Sequence, residues 1–410
     1  MHPRNLYLNP PDFRKLSETF PPLKPFLQPN SNTVDFHNED AQRCVTRALL
    51  HRDFNLKIQL PTNRLCPPVP NRLNYVLWIQ DIVKACQVVE GEEQVTGIDI
   101  GTGASAIYPL LACRLESRWK FVVTELDDVS ETHARENVES NALDDQIQIL
   151  KATKSGPLLL PLSDDTQTFD FTMCNPPFYS SAEDVAQSSE AKVSAPNAVC
   201  TGAAIEMITE GGESAFVRQM VEESTRFGTR CKWYTSMLGK LSSAAEVVKT
   251  LEANSIENYA ITEFVQGQTR RWAVGWSFTD IRLPDSVSRI QNPNPLIQRY
   301  IPPHNTIRQP AKITDEAFEG IMSGIPGVTV ENRPSYFLVK AAGDTWSRAA
   351  RRKRRNQMDV SEETVRPEPA MICTVVVADD FVEFQWVRGV SRSLFESFCS
   401  HVSRKFTSPH

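Results

Sequence analysis

Gly97-Ile98-Asp99-Ile100-Gly101-Thr102-Gly103-Ala104-Ser105 is a strand that runs into two glycines and on toward a helix over residues 105–115. A glycine has no Cβ, so a turn of this kind can take left-handed backbone angles and let a ligand approach the chain closely. Around it the sequence alternates. Residues 95–100, 121–124, 147–151 and 169–174 are short, largely apolar runs, and residues 105–115 and 129–141 carry apolar positions at helical spacing. That rhythm predicts parallel β-α-β units and a doubly wound α/β sheet. A helix over 213–226, a strand over 231–237, a helix over 243–253 and a strand pair at 260–265 and 272–278 would complete it.

Outside the sheet, residues up to about 60 scatter Arg and Lys among prolines and aromatics, with Cys44, Val45, Ala48 and Leu49 at helical spacing. They read as a small N-terminal module. Tyr75-Val76-Leu77-Trp78-Ile79 follows a proline-rich turn and predicts an amphipathic helix. Residues 179–204, rich in Ser, Ala and Asn, read as a lid or substrate loop. The prolines of 284–310 suggest a linker. Beyond it, strands at 329–340, 372–378 and 382–387 and a helix at 390–406 describe a second, α+β module with a charged insertion at 347–369. The expected division is therefore 1–63, 64–283, 284–310 and 311–410.

A chain of 410 residues with 40% hydrophobic residues is long enough for several cores. No stretch supplies about 18 uncharged apolar residues for a membrane span, and the first residues do not resemble a signal segment, so an intracellular, soluble protein is expected. Nine cysteines without a C-x-x-C pair fit neither a disulfide framework nor a zinc site, and no metal is expected. A net charge of -6 argues against indiscriminate binding of polyanions. Local concentration of positive charge matters more than the total.

Two constellations carry chemistry. Gly101 and Gly103 lack the third glycine of a full dinucleotide fingerprint, since position 106 is Ala106, and alone they also fit a tight turn of any Rossmann-like protein. Glu125 ends the next strand about 20 residues on, where a carboxylate can accept from ribose hydroxyls. Asp127 and Asp128 suit a helix cap. Asn175-Pro176-Pro177-Phe178 then follows the strand at 169–174. A planar amine is a poor nucleophile because its lone pair is delocalised. The Asn175 side-chain carbonyl and the Pro176 backbone carbonyl could accept from its hydrogens and turn the lone pair outward, two prolines would stiffen that loop, and Phe178 would offer a ring for stacking. No strong general base is needed, because the nitrogen becomes acidic once alkylated. An ordinary Asn-Pro turn is the plain alternative. Together the two constellations describe the layout of an S-adenosylmethionine-dependent amino-methyltransferase.

The run from Gly97 to Ser105, Thr124-Glu125, Met173-Cys174-Asn175-Pro176-Pro177-Phe178, Ala273-Val274-Gly275-Trp276-Ser277-Phe278 and Pro10-Pro11-Asp12-Phe13 resemble the methyltransferase-like protein 16 family over roughly residues 1 to 280. That family comprises eukaryotic N6-adenosine RNA methyltransferases acting on U6 small nuclear RNA, related to bacterial enzymes that methylate adenine in 23S ribosomal RNA. The resemblance implies a Rossmann-like class I S-adenosylmethionine-dependent methyltransferase sheet with an N-terminal RNA-binding module. It further implies that Arg72, Gly101, Gly103, Ser105, Glu125, Ser155 and Asn175 contact the cofactor, Arg72 as partner of its carboxylate. At position 155 the family pattern favours Thr. By the same resemblance, Arg4, Arg14, Lys15, Arg43, Arg47 and Arg52 belong to the RNA-binding module.

Arg351, Arg352, Lys353, Arg354 and Arg355 form the densest positive run. An RNA phosphate contact, a nuclear import signal and a solvated loop all fit it. The leading expectation is an RNA adenine methyltransferase, monomeric and nuclear, with a cytoplasmic share also compatible, that uses S-adenosylmethionine and binds U6 small nuclear RNA or a similar hairpin, with no membrane and no metal. N5-glutamine methylation of a protein needs the same clamp and is one alternative. A non-catalytic RNA-binding scaffold is the other.

Overall fold

A computed structural model describes residues 1–29, 31–91, 94–185, 202–267, 269–355 and 368–406. The side chains of Arg351, Lys353, Arg354 and Arg355 are outside the description. Two compact units emerge: Met1–Val83, Glu93–Thr279 and Ile290–Ile301 form the first, and Lys84–Glu92, Asp280–Arg289 and Pro302–His410 the second.

The first unit opens with helices α1 (Phe13–Thr19), capped by the Asp12 carboxylate, and α2 (Glu39–Phe54), capped by Asn38. Helix α3 (Val69–Glu90) follows. The amphipathic helix expected around Tyr75 is corrected here, since every residue from 71 to 80 is buried. An apolar run with neighbours on all sides needs no polar face.

The sheet is then laid down by β1 (Thr96–Ile100), α4 (Ile107–Leu115), β2 (Lys120–Glu125), α5 (Asp128–Ser140), β3 (Ile147–Lys151) and β4 (Phe169–Cys174). Helices α6 (Ala204–Met207) and α7 (Gly212–Phe227) lead to β5 (Cys231–Leu238), α8 (Leu241–Ala253) and the hairpin β6 (Tyr259–Gln266) and β7 (Thr269–Trp276). Among the described residues seven strands join in the order β3-β2-β1-β4-β5-β7-β6, parallel except for β7, which runs antiparallel to both neighbours. Strands β1, β2 and β4 are buried along nearly their whole length, as parallel strands covered on both faces must be. The chain order reverses between β1 and β4, and the crevice at such a switch point lies at the carboxyl ends of the strands.

The second unit is an antiparallel sheet of β8 (Thr306–Pro310), β9 (Val328–Arg333), β10 (Tyr336–Ala341), β11 (Met371–Val377) and β12 (Phe381–Gly389), in the order β8-β12-β11-β10-β9. Helices α9 (Asp315–Ser323) and α11 (Arg392–Phe406) pack a core of Phe318, Phe337, Phe384, Trp386, Phe395 and Phe398, while α10 (Arg348–Arg355) carries the basic run. The basic run is therefore helical, which does not fit the solvated-loop reading, and residues 356–367 of the insertion lie outside the described residues. The stretch expected as a linker is also folded in part: Val287, Ile297 and Tyr300 are buried and Thr306–Pro310 is strand β8.

Candidate active site

Strand register brings the decisive residues together. Ile100 lies opposite Cys174 on β4 and opposite Thr124 on β2, so Gly101, Glu125 and Asn175 leave neighbouring strand ends side by side. Gly101 and Gly103 both have positive φ, 67° and 66°. A Cβ on Gly101 would point into open space, and one on Gly103 would meet nothing nearer than Glu206 Oε1 at 3.8 Å. The turn is thus a cradle with room above its backbone.

Glu125 ties that cradle to β2. Its Oε2 accepts from Gly103 N at 2.8 Å, and its Oε1 accepts from Leu126 N and Asp127 N, each at 2.8 Å. Burial pushes its carboxyl upward, opposed by those three amides. A carboxylate offers about four lone-pair positions, so capacity remains for a ligand hydroxyl. Asp127 also accepts from Ser130 N at 2.8 Å and pairs with Arg64, which makes it the cap of α5.

Asp99 is different. Among the described residues neither of its oxygens has a hydrogen-bond partner, nor does the Thr102 hydroxyl beside it, and all three atoms are buried. Burial pushes the Asp99 carboxyl up to about 7. The Glu125 charge adds to this, and the Thr102 hydroxyl and the Arg72 charge partly oppose it. The folded chain therefore holds a proton that the unfolded chain, titrating near 3.8, has released. Its contribution to stability falls as pH rises from about 4 to about 7 and is level above, by about 4 kcal/mol as an upper bound. Asp99→Asn should flatten this slope in melting temperatures measured without ligand from pH 4 to 8; parallel curves for variant and parent would contradict it.

Arg72 is buried, with its guanidinium over the Tyr108 ring at 5.6 Å and 3.8 Å from Met237 Sδ, and no carboxylate pairs with it among the described residues. Ser105 is buried in the turn two residues before α4. Ser155 is exposed in the turn after β3 and makes no hydrogen bond among the described residues, so the structure does not join it to the cradle.

Asn175 Oδ1 is buried with no hydrogen-bond partner among the described residues. Pro176 is buried and Pro177 partly so. The Phe178 ring lies beneath the Arg271 guanidinium at 5.4 Å, and a Cβ on Gly239 would come within 3.0 Å of its Cδ1. Glu213 holds that glycine, accepting from Gly239 N at 2.6 Å and Lys240 N at 2.8 Å. Arg271, Glu213 and Gly239 were not singled out in the sequence; the only signal was the pair Arg270-Arg271 just before the 273–278 motif. The loop after Phe178 is pinned at its ends, with Tyr179 N donating to the Met207 carbonyl at 2.9 Å and Thr209 N to the Tyr179 carbonyl at 3.0 Å. Residues 186–201 of the expected lid lie outside the described residues.

In the N-terminal module Arg14, Lys15 and Arg47 are exposed. Arg52 is exposed but bidentate to Asp53 at 2.6 and 2.8 Å. Arg4 is engaged by Asp81, Gln80 and the Leu77 carbonyl. Arg43 is corrected as an RNA contact: it is buried and held by Asp40 and Glu39, one turn earlier on α2, and by the Thr62 carbonyl. In the second unit Arg352 is exposed.

A model of an RNA methyltransferase family matches residues 1–280. The chain belongs to this family. This methyltransferase is 37% identical, over 90% of its length and 94% of the relative's, to the U6 small nuclear RNA (adenine-(43)-N(6))-methyltransferase of Schizosaccharomyces pombe. It is 39% identical over 70% of its length to the RNA N(6)-adenosine-methyltransferase METTL16 of Homo sapiens, but spans only 52% of that longer protein. The hMettl16 catalytic domain, solved in complex with MAT2A 3′UTR hairpin 1, covers 68% of this methyltransferase and 96% of the solved chain at 39% identity, with a TM-score of 0.62. The N-terminal domain of human METTL16 in complex with SAH covers 68% and 99% at 38% identity, with a TM-score of 0.57. Membership does not favour the protein-glutamine or the non-catalytic alternative.

Proposed function

We propose that this methyltransferase transfers the methyl group of S-adenosylmethionine to the N6 amine of an adenosine in U6 small nuclear RNA. The observation that carries the reading is Asn175 Oδ1, buried at the end of β4 beside the glycine cradle with no partner among the described residues. A buried carbonyl without a donor costs free energy, so its retention marks a place where a ligand N–H arrives.

The residues present fit the cofactor. S-adenosylmethionine supplies an electrophilic methyl on a sulfonium and carries an ammonium, a carboxylate and a ribose. Arg72 matches the carboxylate, the Asp99 oxygens, which have no hydrogen-bond partner among the described residues, the ammonium, Glu125 the ribose hydroxyls, and the open faces of Gly101 and Gly103 the nucleoside, with Ser105 beside them. We assign Ser155 a lesser part, since its hydroxyl is exposed. Asn175 Oδ1 and the Pro176 carbonyl would accept from the adenine amine and direct its lone pair toward the methyl. Phe178, steadied by Arg271 and Gly239, would stack on the base. Methylation acidifies the nitrogen, and its proton then leaves to water.

Exposed Arg14, Lys15 and Arg47 suit the phosphates of a hairpin, and we read the exposed Arg352 and the run from Arg351 to Arg355 on α10 as a second RNA contact. The proposed division is an RNA-binding N-terminal module, a methyltransferase domain and a C-terminal auxiliary module. A monomer in the nucleus, where small nuclear RNA is processed, fits this assignment. Transfer of a labelled methyl group to a U6 transcript, compared with a transcript in which the target adenosine is replaced, tests the proposal.

A further inference from the structure

The amine clamp hangs from the end of β4, and the backbone ladder does not hold that end to β5. It pairs Phe169 with Cys231 and Phe171 with Trp233 and goes no further. Beyond that point the two strands are joined through buried side chains. Thr172 Oγ1 accepts from Thr235 N at 2.8 Å and donates to the Thr235 carbonyl at 3.2 Å. Thr235 Oγ1 donates to the Thr172 carbonyl at 2.5 Å. Tyr75, from α3, places its hydroxyl 2.6 Å from Thr235 Oγ1 and 3.3 Å from Cys174 N.

The donors fix the direction of this relay. A carbonyl only accepts, so the single Thr235 hydroxyl proton goes to Thr172, and the Tyr75 proton must go to Thr235. The Tyr75 oxygen is then free to accept from the Cys174 amide, one residue before Asn175. Burial raises the Tyr75 phenol far above its ordinary range, so it keeps that proton. Its ring is held in turn by Trp78, Tyr108 and Phe264, at centroid distances of 6.2, 5.4 and 6.1 Å.

We propose that Tyr75 is a positioning residue for methyl transfer: its hydroxyl, wedged between β4 and β5, fixes the backbone from which Asn175 departs and so aims the carbonyls that accept the target amine. The inference rests on the clamp assigned above. Small displacements at a reacting centre cost large factors in rate, while binding through the rest of a long RNA is unaffected.

The test is Tyr75→Phe, which keeps the ring, assayed with saturating RNA and S-adenosylmethionine. kcat should fall about tenfold or more, with dissociation constants for RNA and cofactor within about a factor of two of the parent. Thr235→Val should reproduce the loss and Thr235→Ser should restore most of the rate, which keeps the question decidable if Tyr75→Phe folds poorly. In an Asn175→Ala background Tyr75→Phe should cost clearly less than in the parent, because one of the two carbonyls it aims is gone and only the Pro176 carbonyl remains. A parental kcat in folded Tyr75→Phe, or the full loss repeated in the Asn175→Ala background, overturns the inference. Undiminished transfer by Asn175→Ala alone would instead overturn the clamp itself.

Discussion

Asn175→Ala should lower methyl transfer by on the order of 100-fold or more, the scale of losing one preorganised polar contact at a reacting centre. RNA affinity should stay close to that of the parent, because the exposed Arg14, Lys15 and Arg47 of the N-terminal module and Arg352 on α10 lie elsewhere in the chain. The fold should also survive. Asn175 Oδ1 has no partner among the described residues, so its removal orphans nothing and relieves a buried carbonyl of its desolvation. Single-turnover rates beside filter-binding titrations separate the two quantities. Transfer at the parental rate would remove Asn175 from the chemistry, and a parallel loss of RNA affinity would make it a binding residue instead.

Gly103→Val should abolish measurable cofactor binding by calorimetry, a weakening of at least about tenfold. Two effects add. Gly103 has a φ of 66°, a left-handed angle that a β-branched residue adopts only at a cost of about 1–3 kcal/mol. Its methyl groups would also fill the cradle above the turn, where the nearest side-chain atom is Glu206 Oε1, 3.8 Å from the added Cβ. If the backbone relaxes to relieve the strain, Gly103 N moves off Glu125 Oε2 and the ribose-facing carboxylate loses its anchor. Unchanged binding in a folded variant would place the cofactor away from this turn.

Both predictions concern residues that were legible in the sequence, and the reason is local. Gly101, Glu125 and Asn175 each end an apolar run that is buried in the sheet, and burial on both faces leaves an uninterrupted hydrophobic signal with clear ends. The strand at 169–174 is accordingly legible to the residue, and so is the edge strand at 147–151, although there Gln148 is exposed between the buried Ile147 and Ile149. The second unit was read less well. Residues 329–340 looked like one strand and are the hairpin of β9 and β10, turned at Pro334 and Ser335. Helix α9 was not anticipated, although Thr314, whose hydroxyl accepts from Ala317 N, and the following Asp315 and Glu316 are an ordinary helix start.

What supports the site was less visible than the site. Glu213 reaches Gly239 across 26 residues and Tyr75 reaches Thr235 across 160, and no local periodicity records such pairs. Arg43 shows the converse. Its sequence neighbours Glu39 and Asp40 lie one helical turn back and neutralise it, so a cation that suggested RNA is a structural one.

Transfer of a methyl group by this methyltransferase to the N6 amine of adenosine in U6 small nuclear RNA is tested by mass spectrometry of nucleosides digested from U6 RNA after incubation with the purified protein and S-adenosylmethionine. N6-methyladenosine should appear at one position of the RNA with the parent and be missing with Asn175→Ala. An RNA without N6-methyladenosine, with the methyl group recovered in protein or not transferred at all, would contradict it.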